Sequence, residues 1–223
     1  MKQKIPVTFF LVLTFFITTN SYAGWELYDN FSSGSIDTQK WRIEYSSANI
    51  TVQNGRAKFE HLSGNPNDPS YLIFNQNPET IKGIKVTISS ATCVGDVRVR
   101  IGAYVGGVGV SQVWSALELQ PNDERIYTYA GLEGPPPNYI WLYDLHYAHF
   151  ENPIQIIGRT FTVSKMFYPD KIVDEVDGYG KITHKYETPL TPLADPFMGI
   201  GTRSDNGDGP CIAYFDNVYV YLE

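Results

Sequence analysis

The nearest approach to a catalytic carboxylate pair in this chain is Glu175 and Asp177, in the run Asp174-Glu175-Val176-Asp177-Gly178. Alternate residues of a strand share a face, so the two carboxyls would stand roughly 7 Å apart. Paired carboxyls at such separations can work as acid and base in glycosidic hydrolysis. The plainer account is the polar tip of a hairpin, because Asp177-Gly178 is a turn dipeptide. His61, His146, His149 and His184 lack a Gly-x-Ser-x-Gly partner, so no nucleophile with a backing base is evident. His146 and His149 are three residues apart, which on a strand places them on opposite faces and makes a shared metal improbable. Two cysteines, Cys93 and Cys211, are too few for a zinc site with scattered histidines. They remain either a disulfide or two separate buried thiols.

A second chemistry is reversible binding of sugars, which need aromatic faces for their C–H side and planar groups for their hydroxyls. Arg98, Arg100 and Tyr104 fall on one face of a strand whose other face is claimed by Val97, Val99, Ile101 and Val105. Trp141 and Tyr143 form a period-two aromatic row, and Trp114 sits in Val113-Trp114-Ser115-Ala116-Leu117. Such a row is more often half of a sandwich core than a sugar platform, and paired arginines can simply be solvated.

The elements that must carry these residues are short strands. Ile84-Lys85-Val86-Thr87-Ile88, Val97–Val105, Phe161-Thr162-Val163-Ser164 and Ile212–Tyr221 alternate apolar and polar positions and are rich in β-branched and aromatic types. Between them stand turn signals such as Asn54-Gly55, Gly106-Gly107, Pro135-Pro136-Pro137 and Asp177-Gly178. No stretch of a dozen residues keeps a 3.6-residue amphipathic pattern. The chain is therefore expected to be all-β, an antiparallel sandwich of about a dozen strands.

Met1–Lys4 is basic, Ile5–Ile17 is apolar, and Ser21-Tyr22-Ala23 is a small-x-small site before Gly24. This layout predicts a secretory signal peptide over residues 1–23, cleaved at about Ala23, with a single domain over 24–223 that is secreted or periplasmic. An apolar run of that length is short of the roughly 20 residues needed to span a bilayer, so no membrane insertion is expected. The whole chain of 223 residues has 17 Lys+Arg against 24 Asp+Glu, a formal charge of −7. With two lysines and no acid in residues 1–23, the rest carries 15 against 24. That balance excludes a phosphate-backbone surface, and no nucleic-acid partner is expected.

Both ends of the presumed mature part carry a resemblance. Trp25-Glu26-Leu27-Tyr28-Asp29-Asn30-Phe31, Ile36-Asp37, Trp41 and Ile50-Thr51-Val52-Gln53-Asn54-Gly55-Arg56-Ala57 resemble the opening of the concanavalin A-like lectin/glucanase superfamily. Ala213-Tyr214-Phe215-Asp216-Asn217-Val218-Tyr219-Val220 resembles its last strand, and Gly158-Arg159-Thr160-Phe161-Thr162-Val163-Ser164 a strand before an internal hairpin. The resemblance implies a jelly-roll sandwich of two antiparallel sheets, closed by pairing the first strand with the last. It also implies a structural calcium held by Asp216 and Asp29 with backbone oxygens. The family 16 glycoside hydrolases of this superfamily carry Glu-x-Asp-x-(x)-Glu on one strand. Here Glu175 and Asp177 match the first two, but Tyr179 or Gly180 stands where the third carboxylate belongs, and the lyase-like branch's Gln-x-His strand is absent too. A non-catalytic glycan-binding or adhesion-type module is thus expected, with a glycan or cell-surface polysaccharide as partner and Arg98, Arg100, Tyr104, Trp114, Trp141 and Tyr143 as ligand-binding residues. A divergent hydrolase or lyase using Glu175 and Asp177, and an interaction domain without a sugar ligand, stay as alternatives.

Overall fold

The computed structural model describes residues 24–44, 47–62, 68–75, 81–134, 140–151, 153–193, 197–206 and 208–222. The expected signal peptide and the triple proline lie outside them. The described residues form β1 (Gly24–Asp29), β2 (Trp41–Glu44), β3 (Asn49–Gln53), β4 (Arg56–His61), β5 (Asp68–Phe74), β6 (Ile81–Cys93), β7 (Val97–Val108), β8 (Ser111–Gln120), β9 (Arg125–Glu133), β10 (Trp141–His149), β11 (Thr160–Tyr168), β12 (Lys171–Val176), β13 (Gly180–Lys185), β14 (Met198–Ser204) and β15 (Cys211–Leu222). They contain no helix.

Two antiparallel sheets result. The first runs β13-β12-β11-β6-β15-β4-β3, with β1 also paired to β15, and the second runs β10-β9-β8-β7-β14-β5-β2. Alternation decides which side chains enter the space between them. On β7, Val97, Val99, Ile101 and Ala103 are fully buried and meet Ile84, Val86 and Ile88 of β6 and Phe215 of β15 in one core. The arginines between them on β7 face the other way, as the sequence pattern required. At the Asn54-Gly55 turn joining β3 to β4 both residues have positive φ, 53° and 71°, the conformation that a two-residue hairpin demands.

Near the start of the described chain an aromatic box forms. The Trp41 ring packs 5.1 Å from Tyr28, 5.9 Å from Phe31 and 4.7 Å from Phe74. Asp29 ties it together, accepting from the Trp41 indole N–H at 2.7 Å and from the Phe31 amide at 2.8 Å. The chain closes on itself where Gly24 of β1 pairs with Leu222 of β15. A disulfide joins Cys93 on β6 to its register partner Cys211 on β15, 118 residues later in sequence. By the loop-closure argument a bridge across such a span stabilises the fold by ~4–5 kcal/mol.

Candidate functional site

The outer face of the second sheet carries a cleft of about 370 Å³ lined from every one of its seven strands. Arg42 and Glu44 come from β2, Tyr71 from β5, Arg100 and Tyr104 from β7, Gln112 and Trp114 from β8, Tyr129 and Glu133 from β9, Trp141 from β10 and Arg203 from β14. Of the residues singled out in the sequence, Arg100, Tyr104, Trp114 and Trp141 meet here. Arg98 points to the same side but is held by Asp96 and Asp205. Tyr143 is exposed and lines no part of the cleft. The β10 row does not keep its alternation, because bulges between Trp141 and Tyr143 and between Asp144 and His146 shift its register against β9. Trp141 and Tyr143 are consequently at the surface and not in a core.

Two glycines let the tryptophans lie flat on the sheet. A Cβ on Gly102 would stand 2.5 Å from the Trp114 ring, and one on Gly131 would stand 1.9 Å from that of Trp141. Trp114 donates its indole N–H to the Tyr129 hydroxyl at 3.1 Å. Tyr104 packs edge-on to Trp114 at 5.1 Å and donates its hydroxyl to Glu133 at 2.7 Å.

Beneath this surface lies Glu118, which the sequence reading passed over. It is fully buried on β8, takes Arg100 at 2.9 Å and the Tyr129 hydroxyl at 3.2 Å, lies 3.5 Å from Arg98, and also accepts from the Tyr127 hydroxyl. Burial alone would raise its carboxyl, but the Arg100 and Arg98 charges and these hydrogen bonds outweigh it and hold the group ionised, below the usual range. Burial raises Tyr71, whose ring lies under Arg100 and whose hydroxyl accepts from that guanidinium, to about 12. A signal was available in the sequence: Glu118 stands in phase with Trp114 on an alternating strand. Burial also raises the half-buried carboxyl of Glu133, opposed by the Tyr104 hydrogen bond and by Arg203 and Arg100.

The other expected site residues lie elsewhere. Glu175 is on β12 in the first sheet and pairs with Lys181 at 3.1 Å, and Asp177 is exposed in the turn to β13. Neither lines the cleft. They occupy the outer side of the first sheet, because β12 turns its in-phase residues Ile172, Asp174 and Val176 inward. Asp29 and Asp216, the two residues of the calcium expectation, lie near the start of the described chain and on β15. Both Asp29 oxygens accept N–H groups, and Asp216 accepts from the Asn217 amide at 2.7 Å.

No protein-family model and no curated protein matches the sequence. Solved structures do match. Porphyranase B from Zobellia galactanivorans superposes with a TM-score of 0.65 at 12% identity, over 89% of this chain and 92% of that one. A β-glucanase from Bacillus licheniformis gives 0.59 at 14% identity, over 92% and 99%. SCLam, a non-specific endo-β-1,3(4)-glucanase from family GH16, gives 0.60 at 14% identity, over 89% and 91%. At such identities the likeness is one of architecture, and the protein has the concanavalin A-like jelly-roll fold that family GH16 also uses.

Proposed function

We propose that the protein is a glycan-binding module that holds a polysaccharide segment in the cleft of the second sheet without cleaving it. The observation that carries this reading is the state of Glu118, the carboxylate under the middle of the cleft. It is fully buried and bound by two arginines and two tyrosines, so it can neither reach a substrate nor give up a proton. Glu133 is too distant to be its partner. Glu118 pairs with Tyr127 and Glu133 with Gln112 across the same two strands, a displacement of roughly 20 Å at 3.3 Å per residue. Paired-carboxylate hydrolysis works at about 5–9.5 Å. What the cleft offers instead is the face of Trp141 and the Tyr104 ring, with Arg42, Gln112, Arg203 and Glu44 as planar hydrogen-bonding groups. The names of the fold neighbours, a porphyranase and two glucanases, support a polysaccharide as ligand.

Isothermal titration against a panel of β-glucans and galactans, with a reducing-end assay on the same mixtures, tests the proposal. Binding without release of reducing ends is expected. Trp141→Ala is expected to weaken binding at least ~10-fold, since an anchoring aromatic is worth more than about 1.4 kcal/mol. Turnover by the wild type would sink the non-catalytic reading.

One observation favours a second reading, in which the cleft cleaves its ligand. Glu133 lines it with a raised carboxyl, the property that suits a general acid. On that reading Glu133→Gln abolishes reducing-end release on whichever polymer the wild type degrades, whereas Glu175→Gln leaves it intact.

A further inference from the structure

Between the two sheets, at the end where β10 and β13 form their edges, lies a group of ionisable side chains that the cleft does not use. Lys165 of β11 is fully buried and binds both oxygens of the fully buried Asp174 of β12, at 2.8 and 2.9 Å. Thr128 of β9 donates to Asp174 and lies 3.1 Å from the Nε2 of His184 on β13, which is itself 3.5 Å from Asp174. His146 of β10 completes the group, its ring centre 3.4 Å from that of His184. Two buried imidazole nitrogens, His146 Nε2 and His184 Nδ1, have no hydrogen-bond partner among the described residues, and neither has the Tyr186 hydroxyl just beyond β13.

We infer that His146 is an acid-sensitive latch that fastens β10, and with it the Trp141 wall of the cleft, to the rest of the sandwich. This rests on the glycan-binding reading only for its effect on affinity. The charges that face His146 from each neighbouring strand decide the sign. Asp174 is the one carboxylate in the group, and Lys165 already neutralises it, contacting both its oxygens. Lys165 supplies a positive charge, His184 an imidazole ring, Thr128 a hydroxyl already engaged, and Tyr186 a neutral phenol. A proton on His146 therefore meets the Lys165 ammonium and the His184 ring, with the Lys165-paired Asp174 as the one opposing charge. Burial and His184 accordingly hold the His146 ring below its ordinary value of 6.5. The same ring turned out to solvent would recover that value, so protonation favours the outward position as pH falls below it.

Outward release is open to His146 because of where it sits. Among the described residues β10 is the terminal strand of its sheet, paired on one side, with β9. It is broken by two bulges, one of them immediately before His146, and exposed over most of its length. Edge segments with few buried contacts are the first to open. Trp141 lies on the same strand, over the Gly131 backbone and 5.9 Å from the Tyr129 ring. Loosening β10 removes one wall of the cleft.

Amide hydrogen exchange read by peptide, corrected for intrinsic rates, tests the latch without any ligand. Protection over residues 141–149 is expected to fall at least ~10-fold between pH 7.5 and 5, a change of 1.4 kcal/mol or more, while β7 and β8 keep theirs. In His146→Phe, or in His146→Gln should the first not fold, the pH dependence of β10 is expected to vanish. Equal protection at both pH values in the wild type, or an unchanged loss in a folded His146 variant, overturns the proposal. Glycan titrations at the two pH values, given a ligand, should weaken in parallel for the wild type and not for His146→Phe. Absence of any glycan binding would strike the functional reading and leave the exchange result to judge the latch.

Discussion

Replacing Glu118 with alanine is expected to destabilise the protein by about 3–5 kcal/mol, the cost of leaving a buried charge without its partner, and to abolish binding in the cleft. Arg100 is 2% exposed, lies over the Tyr71 and Trp114 rings at 5.0 and 5.4 Å and has Glu118 as its ion-pair partner. Without the carboxylate its guanidinium must find water or move, and either displaces the rings that floor the cleft. Tyr127 and Tyr129 lose their acceptor at the same time. Glu118→Gln keeps an acceptor oxygen and the shape, so it should fall between alanine and wild type. Denaturant midpoints for the three proteins give the order directly. A midpoint unmoved by Glu118→Ala would mean that Arg100 is not held as described.

The second large effect belongs to the interior. Lys165→Met is expected to cost about 3–5 kcal/mol, because it leaves Asp174 ionised and buried. Changing both residues, Lys165→Met with Asp174→Leu, should recover much of that loss. Recovery that failed would show that Thr128 and His184, deprived of Asp174, matter more than the pair itself. The pair also fixes how the fold meets acid. Burial would raise the Asp174 carboxyl, but Lys165 and the hydrogen bonds of His184 and Thr128 outweigh it and keep it below its ordinary 3.8. A depressed carboxyl contributes stability that is complete above its unfolded value and is lost as pH falls through the folded one. Glu118 acts in the same sense. His146 adds an earlier slope, since below pH 6.5 the unfolded chain takes up its proton before the native one does. Thermal melts should thus be level at neutral pH, decline gently in mild acid and drop steeply once the carboxylates titrate. A wild-type melting temperature level from pH 7 to pH 3 would contradict this account.

Much of the architecture was written in simple alternation. Val97, Val99 and Ile101 face the core, Arg98 and Arg100 the opposite side, Asn54-Gly55 turns as expected, and β1 closes on β15. The same rule carries two further signals. Lys165 is in phase with Phe161 and Val163, and Asp174 with Ile172 and Val176, so a lysine and an acid were bound for the interior on adjacent strands. Glu175 and Asp177 have the spacing of a catalytic pair and the wrong phase for any buried role. Other features were not legible. Bulges that free Trp141 and Tyr143 from a core depend on how β9 receives β10. The contributions of Tyr71, Arg42 and Arg203 depend on strands distant in sequence that become neighbours only in the sheet.

The closure of β1 against β15 has a consequence for how the molecule meets its surroundings. Residues 24 and 222 are register partners on the first sheet, whereas the cleft opens from the far side of the second. A segment joined beside residue 24 or 222 would start from the rear layer, on the side away from the cleft. On the glycan-binding proposal, a tether of modest length joined there would present the front to an insoluble polymer much as a handle presents a brush.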